Sequence, residues 1–422
     1  MTPEVKKRIE QIQQGIVPKG YKKTKTDIVP ADWKESPIGE YIREYTEKTT
    51  IPNQYPVLTS ARTGLMLQTD YYSNRQVTTE DNVGYNILPY GYITFRSRSD
   101  DGRFRFNENR IIERGVISYF YPVFSFSEEV CHEYMLYLLN FSIYRRMYPY
   151  AEGTAQQVLS LKKLGQLKYS LPLVAEQKKI AEILATQDKA IELQGRKIEE
   201  LKRFKKGCLE KMFPRQGQKV PEKRFPGFTD DWEQRKLGEL GTITTGSTPS
   251  TSIPDYYSDD GIVWVTPTDI CENITFESAR KLSDLGQQVG RVVPKNTILV
   301  TCIASIGKNT MLGNTGSFNQ QINGLTPNEK EYDPYFLLTE SALWSAKMKS
   351  SAAAGTMQIV NRTEFSELKT WLPNLIEQQA ISDFFRQLDN LITLHQRKLE
   401  EMKNQKKALM QLLLTGIVRV KP

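Results

Sequence analysis

Residues 171–184 read LPLVAEQKKIAEIL, and residues 372–385 read LPNLIEQQAISDFF. The two copies stand 201 positions apart, and the same offset aligns RKIEELK at 196–202 with RKLEEMK at 397–403. A match of this length at a constant offset indicates an internal duplication. The chain is therefore built from two related units.

The duplicated frame extends beyond these helical segments. The strings GTAQQV at 153–158 and GTMQIV at 355–360 correspond, as do DW at 32–33 and DW at 231–232. The long inserts between these anchors share almost no identity. A repeated frame around different inserts predicts an adaptor with two heads that recognise different things.

Each repeated segment predicts a long coiled-coil helix. Alternating steps of four and three residues mark a seam with seven apolar positions of ten in the first copy and eight of ten in the second, flanked by Glu, Lys and Arg. A helix of about 40 residues would be about 60 Å long. The central seam positions are Ile191, Gln194, Ile198, Ile392, His395 and Leu399.

Polar residues interrupt both seams at equivalent positions, Gln194 with His395 and Lys205 with Lys406. A polar group in a coiled-coil seam lowers stability and can specify the register. We interpret His395 as part of such a layer, because no nucleophile or carboxylate pattern surrounds it. If the helices pair antiparallel, Gln194 and His395 meet near the crossing.

The inserts predict compact α/β heads. Short alternating runs such as 92–98, 261–266 and 297–303 predict strands, and residues 128–147 and 333–349 predict small helices. The fold class is therefore α+β, with two globular heads separated by two long antiparallel coiled-coil helices. The expected divisions are an N-terminal helix and linker that complete the second repeat (1–31), the first head (32–170), the first spacer helix (171–214), a breaker-rich linker (215–230), the second head (231–371), the second spacer helix (372–416) and a tail (417–422).

Composition narrows the class of protein. The 422 residues carry a net charge of +8, which favours a polyanionic partner. Four widely spaced cysteines and only two histidines predict neither a disulfide framework nor a zinc site. The N-terminus lacks an apolar signal core, and the longest apolar stretch is too short to span a bilayer, so we expect a cytoplasmic protein without membrane contact.

No stretch of the sequence predicts a catalytic centre or a metal site. DPYF at 333–336 lacks the second proline of a DNA adenine methyltransferase loop, and GK at 307–308 lacks the earlier glycine and the hydroxyl residue of a phosphate loop. EQK at 176–178 resembles a nuclease motif, but the second copy loses the lysine. A helix-start carboxylate explains that motif better.

The first insert uses arginine and avoids lysine. No lysine lies between Lys48 and Lys162, where ten arginines occur. The planar fork of arginine suits bidentate recognition of guanine edges and phosphates. Residues 96–106 predict a hairpin that turns at Asp-Gly and sets Arg98 opposite Arg105, a pairing of like charges that favours an anion between them. The candidate nucleic-acid contacts are Arg62, Arg96, Arg98, Arg103 and Arg105, with a solvated arginine face as the alternative.

The second insert offers small polar loops instead. Hydroxyl and amide side chains cluster at 245–250, 264–269, 305–309 and 318–321. Asn and Gln are natural readers of adenine, although such residues are also common in turns. The candidates are Ser247, Thr248, Trp264, Thr266, Thr268, Lys308, Asn309, Asn319 and Gln320.

Over nearly its whole length the chain resembles the specificity subunits of Type I restriction-modification systems. The resemblance is carried by both LPxxxEQ helix starts, both GTxQxV segments, RFPGFTDDWEQRKLG at 224–238, and TGSTPS at 245–250 followed by WVTPTD at 264–269. The first head departs from this pattern, because it begins with the weaker DWKESPIG at 32–39.

The resemblance implies two target-recognition domains, each reading one half of an asymmetric bipartite sequence in double-stranded DNA. It implies that the helices dock two modification (methyltransferase) subunits and, through them, the restriction subunits. S-adenosylmethionine, ATP and Mg²⁺ would belong to those partners, and this chain would be a non-catalytic subunit that binds no cofactor. The residues alone leave two alternatives open, a coiled-coil scaffold with two protein-binding heads and a self-contained nuclease.

Overall fold

The structure is a computed structural model that describes residues 2–72, 81–141, 157–215, 217–303, 306–353 and 359–421. The chain forms two compact units, Met1–Leu193 with Leu399–Pro422, and Gln194–Lys398. The boundary therefore falls within both repeated helices. Several residues singled out in the sequence lie outside the described parts: Arg75, Arg145, Arg146, Ser305 and most of both GTxQxV segments.

Short strands dominate the first half of the chain, as the alternating runs predict. In chain order its elements are α1 (Pro3–Gln13), β1 (Tyr21–Lys23), β2 (Ile28–Pro30), β3 (Lys34–Pro37), β4 (Ile42–Tyr45), β5 (Leu58–Ala61), β6 (Gly64–Leu67), α2 (Gln68–Tyr71), β7 (Asn86–Pro89), β8 (Ile93–Phe95), β9 (Arg98–Ser99), β10 (Phe106–Glu108), β11 (Arg114–Ile117), β12 (Val123–Phe126), α3 (His132–Phe141), β13 (Gln157–Val158), α4 (Leu161–Gly165), β14 (Lys168–Leu171) and α5 (Val174–Met212).

The second half repeats this plan with different strand lengths. Its elements are β15 (Glu233–Lys236), β16 (Gly241–Thr245), β17 (Tyr257–Val265), β18 (Ile274–Thr275), β19 (Lys281–Leu282), α6 (Asp284–Val289), β20 (Ile298–Thr301), β21 (Asn309–Leu312), β22 (Gly316–Phe318), β23 (Ile322–Pro327), α7 (Pro334–Ala353), α8 (Arg362–Glu367), β24 (Lys369–Leu372) and α9 (Leu375–Leu414).

Each head contains its own sheet, and the two sheets have the same strand order. In the first head the strand order is β10-β8-β12-β4, and in the second it is β21-β20-β23-β16 with β18 added beside β21. All pairs within the shared four-stranded part are antiparallel. The loop between β8 and β10 therefore corresponds to the loop between β20 and β21, and the loop before β12 corresponds to the loop before β23.

A helix covers each sheet and completes its core. In the first head Tyr134 and Leu138 of α3 are buried in one cluster with Phe95 and Phe124. In the second head Phe336 and Trp344 of α7 are buried with strand residues such as Ile298. Aromatic and branched side chains of this size contribute most of the hydrophobic stabilisation of a core.

In each head, the first and last strands pair with each other. The antiparallel pair β3–β14 joins the two ends of the first head, with Leu171 opposite Lys34. The pair β15–β24 does the same in the second head, with Leu372 opposite Glu233. Both long helices begin directly after these closing strands, so the repeated Leu-Pro sequence marks the passage from head to helix.

The long helices α5 and α9 contain 39 and 40 residues, as the seam pattern predicts. All ten seam positions on each helix are buried or half-buried, whereas flanking positions such as Glu199 and Glu400 are exposed. Within the described residues no helix has the length and hydropathy needed to cross a membrane.

Candidate nucleic-acid interface

Two candidate arginines of the first head share one carboxylate. Arg62 Nη2 lies 2.8 Å from Asp101 Oδ1, and Arg103 Nε lies 3.9 Å from Asp101 Oδ2. The Arg103 backbone N–H and the Ser99 hydroxyl also donate to Asp101, and these bonds hold the pKa of its carboxyl below the usual range. The positive charge of this pair is therefore partly compensated.

Arg96, Arg98 and Arg105 are exposed and have no carboxylate within ion-pair distance in the described part of the chain. The guanidinium carbon of Arg98 lies 4.6 Å from the centroid of the Phe120 ring. Uncompensated surface cations attract polyanions, and a guanidinium that is already oriented loses less entropy when it binds one.

The predicted register of the arginine hairpin was wrong. Phe106 pairs with Phe95, and Arg98 pairs with Val158 of β13 instead of facing Arg105. The turn is wider than two residues because the Asp101 side chain caps it and Gly102 adopts a φ of +70°. Like-charge repulsion across a ladder is thus no argument for an anion here, and the case rests on the three uncompensated cations.

Four segments converge in the second head, and together they contain the candidates that are dispersed in the sequence. Trp264 Nε1 donates to the Ser247 carbonyl at 3.0 Å, which ties the loop after β16 to the end of β17. Lys308 Nζ donates to the Pro267 carbonyl at 3.0 Å, which adds the loop before β21. The Thr248 hydroxyl donates to the Gln320 side chain, which adds the loop before β23.

The candidates of the second head differ in their access to solvent. Ser247, Thr266 and Asn309 are half-buried, and Asn309 Oδ1 accepts a 2.7 Å bond from Ser345. The exposed candidates are Thr248, Thr268, Lys308 and Gln320.

Trp264 and Asn319, the two remaining candidates of the second head, are buried. The single side-chain donor of Trp264 is already used in its hydrogen bond to the loop after β16. The Asn319 side chain accepts from the Gln321 N–H at 3.1 Å and donates to the Gln321 side chain at 3.0 Å. Both side chains hold the loops in shape, and their exposed neighbours have more surface available for a ligand.

Sequence reasoning missed two features of these surfaces. Tyr119 and Phe120 are exposed on the first head beside Arg98, and the aromatic run YFY at 119–121 next to a proline was the available signal. Arg291 is exposed on the second head and donates to the Thr245 carbonyl at 2.7 Å. Its position could not be predicted, because it depends on the long-range packing of α6.

The helix seam carries the polar layer that the sequence predicts. Gln194 Nε2 lies 2.9 Å from His395 Nδ1 and donates to the His395 carbonyl at 2.8 Å. Farther along the same pair of helices, Phe204 packs against Phe384 with ring centroids 6.5 Å apart. From the first contact to the second, the residue number increases on α5 and decreases on α9. The two helices therefore run antiparallel.

The seam lysines form ion pairs that sequence reasoning did not anticipate. Lys205 Nζ lies 2.6 Å from Asp389, which also accepts a 2.9 Å bond from the Tyr335 hydroxyl. In the other unit Lys406 pairs with Asp188, which accepts a 2.7 Å bond from Tyr137. The same trio therefore recurs in each unit and links helix to helix and helix to head.

The repeated Glu of the helix start is a structural clamp. Buried Glu176 accepts two bonds from the Arg419 guanidinium, at 2.8 and 2.7 Å, and Arg419 also binds Asp32. Buried Glu377 accepts two bonds from Arg224, at 2.6 and 2.7 Å. Within each unit, the segment that follows one long helix is thus fixed to the first turn of the other by a bidentate pair.

The repeated Gln joins the same helix starts to the heads. Gln177 accepts a 2.8 Å bond from the Cys131 N–H at the start of α3, and it donates to the Pro172 carbonyl. Gln378 makes the equivalent bonds to the Asp333 N–H and the Pro373 carbonyl. This geometry explains why the Glu-Gln pair recurs while the following lysine does not. Among the described residues no cluster of three His, Cys, Asp or Glu side chains could hold a metal ion.

A duplicated α/β head that presents different loops on one sheet, carried by paired antiparallel helices, defines a two-headed recognition protein. The family model of the Type I restriction modification DNA specificity domain matches residues 30–203 and 229–404. The chain belongs to this family.

Curated relatives match along most of the chain. The Type I restriction enzyme MjaVIII specificity subunit of Methanocaldococcus jannaschii is 24% identical over 424 residues, which cover 93% of this chain and 94% of the relative. The Type I restriction enzyme HindI specificity subunit of Haemophilus influenzae is 22% identical and covers 86% and 95%.

Solved structures share the fold. The S subunit of the Type I restriction-modification system of M. genitalium superposes with a TM-score of 0.56 at 13% identity, over 94% of this chain and 99% of that one. A chain from a structural study of complex assembly and conformational transition in a Type I system gives 0.57 at 15% identity, over 92% and 99%.

Proposed function

We propose that each head of this specificity subunit reads one half of an asymmetric, bipartite sequence in double-stranded DNA. The observation that carries the proposal is that one sheet presents different chemistry at equivalent loops. Arginines lie between β8 and β10 in the first head, where the second head places Lys308 between β20 and β21. Two similar frames with different reading groups suit two different half-sites.

The helices dock two modification subunits and, through them, the restriction subunits. Leu193 and Leu394 support this part of the proposal, because they occupy equivalent positions of the repeat and both side chains are exposed. An exposed leucine at the same place in each copy suits two molecules of one partner. S-adenosylmethionine, ATP and Mg²⁺ bind to those partner subunits. This chain contributes DNA recognition, without catalysis and without a cofactor of its own.

A mobility-shift titration tests DNA binding. The full chain, assembled with its modification subunits, is titrated with duplex DNA over a range of salt concentrations, and affinity should fall steeply with salt. Arg98→Ala or Arg105→Ala should weaken binding by about 1–3 kcal/mol if the side chain reads a base, or reduce the salt slope by about one if it contacts a phosphate. Arg110→Ala is the matched control, because Arg110 is already paired with Glu108 and Glu133.

The same titration separates the alternatives. A protein-binding scaffold would show no salt-dependent DNA affinity while still capturing the modification subunits. Magnesium-dependent cleavage by the chain alone would support the nuclease alternative.

A further inference from the structure

We infer that Tyr119 and Phe120 form an apolar wedge that inserts against a base step of the DNA bound by the first head. The inference rests on the proposed function and adds a specificity device to it. The two side chains are 53% and 44% exposed, and their ring centroids lie 4.0 Å apart. Proteins that deform DNA insert apolar side chains of this kind between neighbouring base pairs.

The loop that carries the two rings is held rigidly. Asn86 Nδ2 donates to the carbonyls of Tyr119 and Tyr121, at 3.4 and 2.8 Å, and the Ser97 hydroxyl donates to the Phe120 carbonyl at 2.7 Å. Three successive carbonyls are therefore fixed by side chains from other elements. This arrangement keeps two large rings exposed at a defined position, so they lose little conformational entropy when a ligand covers them.

The charges around the rings select a polyanion. The Arg98 guanidinium lies over the Phe120 ring, and Arg96 is close enough to Tyr121 to act electrostatically on its hydroxyl. Elsewhere on this head Arg110 lies 5.7 Å from the Tyr90 ring centroid, but that arginine is paired with two carboxylates. Arg114 lies 5.2 Å from the Tyr55 ring centroid, but it is paired with Glu47. Of these three arginine-aromatic pairs between described residues of the first head, only the one at Phe120 has an arginine without a carboxylate partner, so its charge is available for a phosphate.

The equivalent loop of the second head has no such pair of aromatic rings. The loop before β23, which corresponds to the Tyr119 loop before β12, has Asn319, Gln320 and Gln321 and no aromatic side chain. Amides at that position can form hydrogen bonds with base edges but cannot separate a base step. Distortion caused by an aromatic wedge should therefore occur in the half-site read by the first head, apart from any base that the modification subunits extrude for methylation.

Fluorescence of 2-aminopurine tests the wedge, because this base brightens when it is unstacked. The full chain with its modification subunits is bound to duplexes that carry 2-aminopurine at single positions across both half-sites. One position in the first half-site, other than the adenine that is methylated and extruded by a modification subunit, should brighten severalfold on binding. Phe120→Ala should abolish that rise and weaken binding by about fivefold to a hundredfold, and Phe120→Leu should retain part of both. Tyr90→Ala is the matched control and should change neither.

The outcomes are distinct. The wedge is overturned if the wild-type complex binds with steep salt dependence yet no position brightens, or if Phe120→Ala and Tyr119→Ala leave the rise intact. Those results would leave DNA reading by the heads in place. Absence of salt-dependent binding by the wild-type complex would overturn the proposed function together with the wedge.

Discussion

At the scale of single residues, equivalent side chains of the repeat have unequal surroundings. Asp389 and Asp188 each join a lysine of the opposite helix to a tyrosine of the head, but their side chains are 12% and 41% exposed. Burial raises the pKa of both tyrosine hydroxyls, and the neighbouring aspartate raises it further. The buried copy should therefore matter more for stability.

Alanine substitutions measure that difference. Asp389→Ala should cost about 2–4 kcal/mol, because it leaves the Lys205 ammonium without its carboxylate in a mostly buried site and removes one of the hydrogen-bond partners of the Tyr335 hydroxyl. Asp188→Ala should cost about 1 kcal/mol or less, because solvent screens the exposed pair. Urea unfolding of the two variants makes the comparison, with the exposed Asp383→Ala as control. Equal losses in the two variants would show that burial does not set the energy of the trio.

Glu340 is the second residue with a measurable consequence. Its carboxyl is buried in α7, and desolvation raises its pKa from the ordinary 4.5 to about 8, against bonds from Thr370 and the Trp371 N–H. The folded state therefore holds a proton that the unfolded state releases above about pH 4.5. Stability should fall by about 1.4 kcal/mol per pH unit from pH 4.5 to 8 and then level off.

Glu340→Gln removes this titration. The variant should match the wild type near pH 4.5 and become progressively more stable than it up to pH 8, as followed by urea midpoints from pH 4.5 to 9. Glu272→Gln, which changes an exposed carboxylate of the same unit, is the control. Parallel pH profiles for wild type and Glu340→Gln would show that the carboxyl is ionised in the folded protein.

Single-residue roles were only partly predictable. The meeting of Gln194 with His395 followed from the heptad count, because a seam position has few possible neighbours. The aspartates that bind Lys205 and Lys406 lie beside the seam, where the count is silent. The register of Arg98 was wrong because the sequence did not reveal its pairing with Val158, which is far away in the chain. The burial of Trp264 could not be predicted, because it depends on contacts with loops far away in the sequence.

At the scale of elements, α5 contains two glycines that the helix does not need. A Cβ at Gly195 would meet no atom within 4 Å, so no close contact requires the glycine. Gly195→Ala should stabilise the protein by about 0.5–1 kcal/mol through helix propensity. Gly246→Ala is the contrasting variant, because a Cβ at this position would lie 2.1 Å from the Asn319 carbonyl oxygen. This substitution should therefore destabilise the second head.

Thermal unfolding of both glycine variants gives the answer. A loss of stability in Gly195→Ala would mean that the helix bends or packs at this point in a way that the present geometry does not contain.

The elements themselves were largely predictable: the long helices from their period, and β8, β17 and β20 from alternation. The shared strand order of the heads was not, because it depends on pairings between residues far apart in the chain.

At the scale of the whole molecule, helix length should set the distance between the half-sites. Adding four residues between Gln194 and Ile198, with a matching addition after His395, keeps the seam nearly in phase and lengthens each helix by about 6 Å. DNA rises about 3.4 Å per base pair along each strand. The spacer between the two half-sites, which neither head reads, should therefore grow by roughly one or two base pairs. Methylation mapping of the lengthened complex reads this directly. An active variant that keeps the original spacer would show that the helices do not set the distance.

The central claim is that each head reads its half-site independently, and a head exchange tests it most directly. Residues 32–160 are replaced by the corresponding head of another specificity subunit with a known target, and adenine methylation is mapped across a genome that expresses the chimera with its modification subunits. We expect a methylated motif in which one half changes to that of the donor while the other half and the spacer length stay as in the parent. A motif in which both halves change together would contradict it.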